Sequence, residues 1–419
     1  MKKKLRVIVV WMLVSLLLQF GAYAYLDKQL AKVIGPISDA NAPITKQLEA
    51  TVPGSGFENI QVSYAKDYLA YIEDNTLKVF NLKKEKIVFE KELPASSDNS
   101  MGVLSYQWLP DRDTLLYFYA KKNPNPVTYV QVPITPSKTN SSDTKTDTKT
   151  DTKSEDPNEK TKTPQKVESK DVPIQTRTEV RYNNPQITEL YTLELPDSDE
   201  DTAPDDRFNQ TINEFPASGK IEELVFSTST NLIYLTVKNG SNETLMEIDV
   251  MKNVRKLNRS GETINGMAAS DRNGTLFINS KIGGTKQIVS LGVGDRHVIS
   301  KSANDLVLGV RDGKIYVGEV KDNELVKIKT TEDLTEVKDN PSFKTEWEGS
   351  IPFDNVTTLI GSEGQVVINN QKTAYVIAAG KMDEIALEGD ENYISDDGAE
   401  LIQLEQTGTS TVVKLKPLK

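Results

Sequence analysis

From residue 57 onwards the chain repeats one phrase, and that phrase restricts the fold more than any other feature. Short runs rich in β-branched and aromatic residues are separated by turns of Gly, Asn and Asp. Residues 61 to 93, QVSYAKDYLAYIEDNTLKVFNLKKEKIVFEKEL, hold four such runs with the turns EDN and KKE between the later ones. Alternation in LKVFNL and KIVFEKEL suits strands with one buried face. The same pairing of runs returns as TLLYFYA with ELYTLEL, LIYLTV with TLMEIDV, and TLFINS with KQIVSL. It returns again as KIYVGEV with ELVKIKT, QVVINN with AYVIAAG, and ELIQLEQ with STVVKLK. A further run ending in Asp, Asn or Gly often precedes each pair, as in SYQWLPDRD, VFSTSTN, MAASDRNG, LVLGVRDG, TLIGSEG and NYISDDG.

Setting one insertion aside, the units recur at about 35–50 residues, the spacing of four-stranded blades. A single four-stranded sheet leaves its faces bare, and stacking such sheets around an axis covers them. The expectation is an all-β chain, a β-propeller of about seven four-stranded blades over residues 56–419, with six or eight also compatible. A β-sandwich, or two smaller β domains, is the competing architecture. The last unit ends at KLKPLK without a fourth run, and ITKQLEATV, residues 44–52, is available on the N-terminal side to complete it.

One unit carries more than rhythm. SYQWLPDRDTLLYF, residues 105–118, resembles the WD40-like repeat of TolB-type propellers through Trp108, Pro110 and Asp111, followed by apolar Leu115, Leu116, Tyr117 and Phe118. Leu109 and Arg112 stand where that repeat usually has Ser and Gly. Fragments recur as DRNG (271–274), Asp312-Gly313 and SDDG (395–398). The resemblance implies the fold and no activity, because this repeat serves binding scaffolds, periplasmic accessory proteins and non-catalytic domains of peptidases.

The N-terminal segment bears on location. Residues 7–26, VIVVWMLVSLLLQFGAYAYL, contain no charge and follow Lys2, Lys3, Lys4 and Arg6. About 20 apolar residues cross a bilayer core. From Val7 through Leu17 and Phe20 to Leu26 the run meets that length, and it has no polar face that would suit a buried soluble helix. Trp11 and Tyr23 lie towards its ends, where amphipathic rings favour the headgroup level. By the positive-inside rule residues 1–6 form a cytoplasmic tail and the remainder is exported. Such a tail is too short for a signalling output domain. The alternative is a signal peptide cut after Ala24, since Ala22 and Ala24 are the small residues a peptidase reads. The apolar run exceeds a usual signal core, which favours a retained anchor. Residues 27–55 read as a stalk broken by Pro36, Pro43 and Pro53, with the possible closing strand at its end.

Residues 137–171 carry a tandem DTKT and almost no apolar side chains. They cannot bury enough surface to order themselves and are expected to be a disordered loop within the second blade. Their eight lysines are balanced by eight carboxylates, unlike a basic nucleic-acid arm. The formal net charge of -11 likewise repels phosphate backbones.

Chemistry is constrained by what is missing. No cysteine occurs, so thiolate metal sites, a cysteine nucleophile and disulfides are excluded. The single histidine, His297, rules out a multi-histidine metal centre. It is expected to be structural or exposed. Asp197, Asp199 and Asp201 begin like a calcium loop, but Thr202 and Phe208 stand where Gly and a bidentate Glu are required, so a solvated acidic loop is expected. Gly274 is expected to take positive φ in a turn. No G-x-S-x-G elbow or P-loop is present. Trp108 and Trp347 are expected in the core between blades. No catalytic, cofactor-binding or metal residue is assigned. The expected function is a membrane-anchored, extracytoplasmic, non-catalytic binding or scaffold module for another envelope protein or a cell-wall component. The alternative is an extracytoplasmic propeller hydrolase, lactonase- or glycosidase-like, using carboxylates or a cation in the channel.

Overall fold

In a computed structural model, the described residues are 48–74, 76–92, 101–133, 176–249, 251–292, 294–334 and 339–418. The anchor reading, with Val7, Trp11, Leu17, Phe20, Tyr23 and Leu26, and the loop reading of 137–171 lie outside them. No helix occurs among the described residues.

Residues 48–122 and 186–418 form one unit made of seven four-stranded antiparallel sheets. Blade 1 runs Glu58–Val62, Tyr68–Glu73, Thr76–Asn81 and Lys86–Lys91. Blade 2 runs Gly102–Trp108, Thr114–Lys122, Gln186–Glu194 and Asp205–Thr211. Blades 3 to 6 begin with Lys220–Ser227, Glu262–Ala269, Asp305–Arg311 and Thr357–Ile360, and each continues through three further consecutive strands. Blade 7 has Glu391–Ile394, Glu400–Thr407 and Ser410–Pro417, and its fourth strand is Leu48–Pro53 from the other end of the chain. That strand pairs antiparallel with Ser410–Pro417, placing Val52 opposite Thr411 and Ala50 opposite Val413. The architecture is therefore a β-propeller of seven blades, not six or eight.

The apolar residues divide into seven clusters, each shared by two adjacent blades. Period-two alternation explains the division. In Tyr68-Leu69-Ala70-Tyr71, Tyr68 and Ala70 enter the cluster with blade 2, while Leu69 and Tyr71 enter the cluster with blade 7. A strand inside a blade is covered on both faces and reads as a continuous apolar run. This corrects the one-faced reading of LKVFNL: Leu77 and Val79 pack towards blade 2, and Phe80 and Leu82 towards blade 7. The cluster between blades 7 and 1 joins Ala50, Val52, Phe57 and Ile60 to Ile402, Leu404, Val413 and Leu415. This seventh cluster closes the ring, since a linear row of seven sheets would have only six such interfaces.

The first strands of blades 1 to 6 contact one another in sequence and so lie on the inside. Five first strands carry a bulge against their second strand, at Glu58/Gln61, Val103/Ser105, Ile221/Glu223, Ile264/Met267 and Val307/Gly309. A bulge frees ladder groups that need other partners. The neighbouring blade supplies some of them and also bonds first strands at unbulged positions. Gln61 bridges to Tyr106 O at 3.2 Å and accepts from Trp108 N at 3.4 Å. The Met267 amide donates to Glu223 (2.9 Å), Ile264 to Glu243 (3.2 Å), Val307 to Asn279 (2.7 Å) and Asn392 to Gln371 (2.8 Å).

Residues 123–185 form a second unit, described by itself. Val127–Pro133 and Thr176–Tyr182 pair as an antiparallel two-stranded ribbon. The strand Thr176–Tyr182, TRTEVRY, was not expected from its charged sequence.

Candidate functional site

The turns joining first to second strands gather at one end of the ring. A cavity of about 130 Å³ there is lined by Ser63 and Lys66 of blade 1, Pro110 and Asp111 of blade 2, Arg311 of blade 5, and Asp396 of blade 7, among others. Contributions from blades 1, 2, 5 and 7 place it at the mouth of the central channel.

Blades 1, 6 and 7 share a turn in which one amide donates to the carbonyl three residues back. In blades 6 and 7 the donor is glycine: Gly364 to Gly361 (2.9 Å) and Gly398 to Ser395 (2.8 Å), with φ of 78° and 69°. In blade 1 it is Lys66, donating to Ser63 at 3.0 Å with φ of 65°. A side chain in this left-handed region costs about 1–2 kcal/mol. The lysine is also 7% exposed, and a buried cation needs a partner. Its Nζ lies 2.9 Å from Asp397 and 3.7 Å from Glu400. The Ser395 hydroxyl lies 2.6 Å from Asp397 Oδ1 and 3.0 Å from Glu400 Oε2. On the other side of the blade 1 turn, the Ala65 amide donates to Asp113 at 2.8 Å. The blade 1 turn is thus tied to blade 7 by charge and to blade 2 by a carboxylate.

The carboxyls respond to these surroundings in different directions. Burial pushes Asp397 up, but the Lys66 charge and the bonds from Lys66 and Ser395 outweigh it and hold it below the usual range. Burial wins at Glu400 and at Asp113, which are raised. Asp396 is pushed towards about 6 by the protein packed around it, opposed by Lys66 and assisted by Asp397. Its side chain remains open to solvent, and that access tempers the desolvation.

The repeat-motif residues fall at two levels. Trp108 is 1% exposed in the cluster between blades 1 and 2, with its Nε1–H directed at Gln61 O at 3.4 Å. Trp347 is buried between blades 5 and 6. Both tryptophans are core. Pro110 and Asp111 instead sit on the rim, where Asp111 accepts two bonds from Arg112, at 3.0 and 2.9 Å.

The other residues singled out in the sequence are not brought to this site. His297 lies on the outermost strand of blade 4, with Nδ1 3.6 Å from exposed Asp339. The acidic segment 196–207 straps blade 2 to blade 1: Asp201 pairs with Lys84 and Lys86, and buried Ser198 bonds Asp67 at 2.6 Å. Its end, from Asp205, enters the fourth strand of blade 2, so the segment is not wholly a solvated loop as expected. Among the described residues no three His, Cys, Asp or Glu side chains converge as metal ligands. Gly274 has φ of 64°, as a turn requires.

Sequence reasoning passed over Lys66, Glu223 and Glu243. The only local signal for Lys66 was a lysine in SYAKD where the kindred turns carry glycine. Glu223 is half-buried and pushed up to about 7, chiefly by burial, opposed by the Met267 amide and assisted by Glu243. A carboxyl raised in the folded state stabilises below its ordinary value of 4.5, and that contribution is lost as pH rises through 7. Glu223→Gln keeps an acceptor for Met267 and removes the ionisation. We expect the variant to match the parent at pH 4 and to exceed it at pH 8 by about 1–2 kcal/mol, allowing for partial solvation, in urea denaturation.

No protein-family model matches the chain, and no curated protein matches it. Solved structures do. The propeller domain of Myceliophteria thermophila Cps50 (Swd1) is 9% identical with a TM-score of 0.45, covering 87% of this chain and 97% of that one. The propeller domain of the Trilobed protease from Pyrococcus furiosus is 10% identical with a TM-score of 0.43, covering 87% and 96%. TolB from Acinetobacter baumannii is 8% identical with a TM-score of 0.37, covering 91% and 83%. The seven-bladed ring is this chain's own architecture, and β-propellers stand among the structures it is similar to.

Proposed function

We propose that this chain is a membrane-anchored, extracytoplasmic propeller that binds without catalysing, and that the channel-mouth face is where it meets another envelope protein. The observation that carries the reading is the division of labour among the carboxylates at that face. Asp113, Asp397 and Glu400 are committed to Lys66 and to neighbouring turns, which makes the mouth rigid before any partner arrives. Asp111 and Asp396 are left on the rim, with Arg112 and Arg311 beside them. A preformed rim on which Asp111 and Asp396 alternate with Arg112 and Arg311 suits a partner face of complementary mixed charge, and loses little entropy on binding. Anchoring and export rest on the uncharged run Val7–Leu26 and the basic residues before it.

The test places a photoreactive residue at position 111 in cells and, as a control, at Lys256 on the outer strand of blade 3. The expected result is a discrete crosslink to an envelope protein from position 111 alone, in a membrane-bound species digested by external protease. Equal labelling from both positions, or a protease-protected cytoplasmic protein, would contradict the proposal.

A further inference from the structure

The ribbon of residues 123–185 carries an interaction surface of its own. Four of the eight large apolar side chains exposed on the described residues lie on it: Val127 (37%), Tyr129 (72%), Val180 (47%) and Tyr182 (83%). Register places Val127 opposite Tyr182 and Tyr129 opposite Val180, so all four share one face. The joining segment 134–175 has four aliphatic residues, Ile134, Val167, Val172 and Ile174. A two-stranded ribbon alone is marginal in water, and three or more strands with an apolar face are needed for independent stability.

The edges of the ribbon differ. The Asn183 amide donates to Pro126 O at 2.8 Å, so the even-numbered residues of Val127–Pro133 turn their backbone groups towards Thr176–Tyr182. Val127, Tyr129, Gln131 and Pro133 therefore turn theirs outward, where no strand pairs with them among the described residues. Edge strands are normally protected by charge. VTYVQVP has none, whereas TRTEVRY has Arg177, Glu179 and Arg181.

We propose that the outer edge of Val127–Pro133 pairs with the same edge of a second copy of this chain, antiparallel and with the two-fold axis at Val130. The sequence is self-complementary in that register. Tyr129 faces Gln131 of the second copy, Thr128 faces its Val132, and Val130 faces itself. Tyr129 and Gln131 exchange backbone bonds in both directions. Pro133 lacks an amide but accepts from Val127, so its position at the strand end costs little. No like charges meet. Pairing through Thr176–Tyr182 about Glu179 would instead set Glu179 against itself and Arg177 against Arg181, which is repulsive. The product is a closed, isologous dimer with a four-stranded sheet whose outer strands carry the charge.

The chain has no cysteine, so single introduced thiols report the register in the intact chain. Val130 faces itself at a pair without backbone bonds, where the Cα atoms approach to about 4.5 Å and a disulfide fits. Val130→Cys should give a disulfide-linked dimer at least ten times faster than Thr128→Cys or Val132→Cys alone. Co-expressed Thr128→Cys and Val132→Cys chains should crosslink to each other. In detergent the parent should sediment as a dimer and Tyr129→Lys as a monomer. Equal crosslinking at 128, 130 and 132, a crosslink of Val130→Cys to a different protein, or a monomeric parent would overturn the proposal.

Discussion

Lys66→Met is expected to destabilise the propeller by about 3–5 kcal/mol at neutral pH, the range for breaking a buried ion pair from one side. The substitution leaves Asp397 and Glu400 close together without their cation, both largely buried. Their proton affinity supplies a second test. In the parent, Asp397 is held low, so its contribution is present above its ordinary value and lost as pH falls through the depressed one. Without Lys66 the folded carboxyls take up protons more readily, and the gap between variant and parent should narrow on going from pH 7.5 to pH 4.5. Lys66→Gly separates charge from backbone. It relieves the left-handed strain while losing the ammonium, so it should lie about 1 kcal/mol above Lys66→Met. Urea denaturation of the three proteins at both pH values tests all of this; a pH-independent loss would remove the ion pair from the explanation.

Val52→Asp should have an effect at least as large, about 4 kcal/mol or more. Val52 is fully buried in the cluster between blades 7 and 1, on the strand that arrives from the opposite end of the chain. Burying its side chain accounts for about 1.5–3 kcal/mol, and an unpaired carboxylate there adds desolvation. The neighbouring Thr51→Asp reverses the expectation. Thr51 is exposed and points away from the cluster, so its change should stay within about 0.5 kcal/mol. Adjacent residues with opposite outcomes are the signature of a paired strand, and a flexible tail would show neither.

The seven-fold rhythm was legible because hairpins announce themselves locally, through paired apolar runs and Gly, Asn or Asp turns. Blade 2 was legible in the same way: Thr114–Lys122 and Gln186–Glu194 read as a pair across the insertion and are paired. What escaped notice depends on residues far apart. Lys66 gains its meaning from Asp397, 331 positions away. Glu223, Gln61 and Asn279 read as ordinary polar strand positions, and only the ring brings them to the bulged edge of the next blade. The strand Thr176–Tyr182 alternates Arg177, Glu179 and Arg181 with Thr178, Val180 and Tyr182, but it is short and polar, and both its faces are largely exposed. Burial pattern, the strongest sequence signal for a strand, is absent there.

The central claim is that the N-terminal strand Leu48–Pro53 closes a seven-bladed ring. Native-state hydrogen exchange of the full chain tests it most directly. Ala50 and Val52 lie opposite Val413 and Thr411. Their amides should open only with a free energy close to that of the strand Glu400–Thr407, in one cooperative unit. Exchange of Ala50 and Val52 within seconds, while Glu400–Thr407 stays protected, would show an open ring and contradict the account.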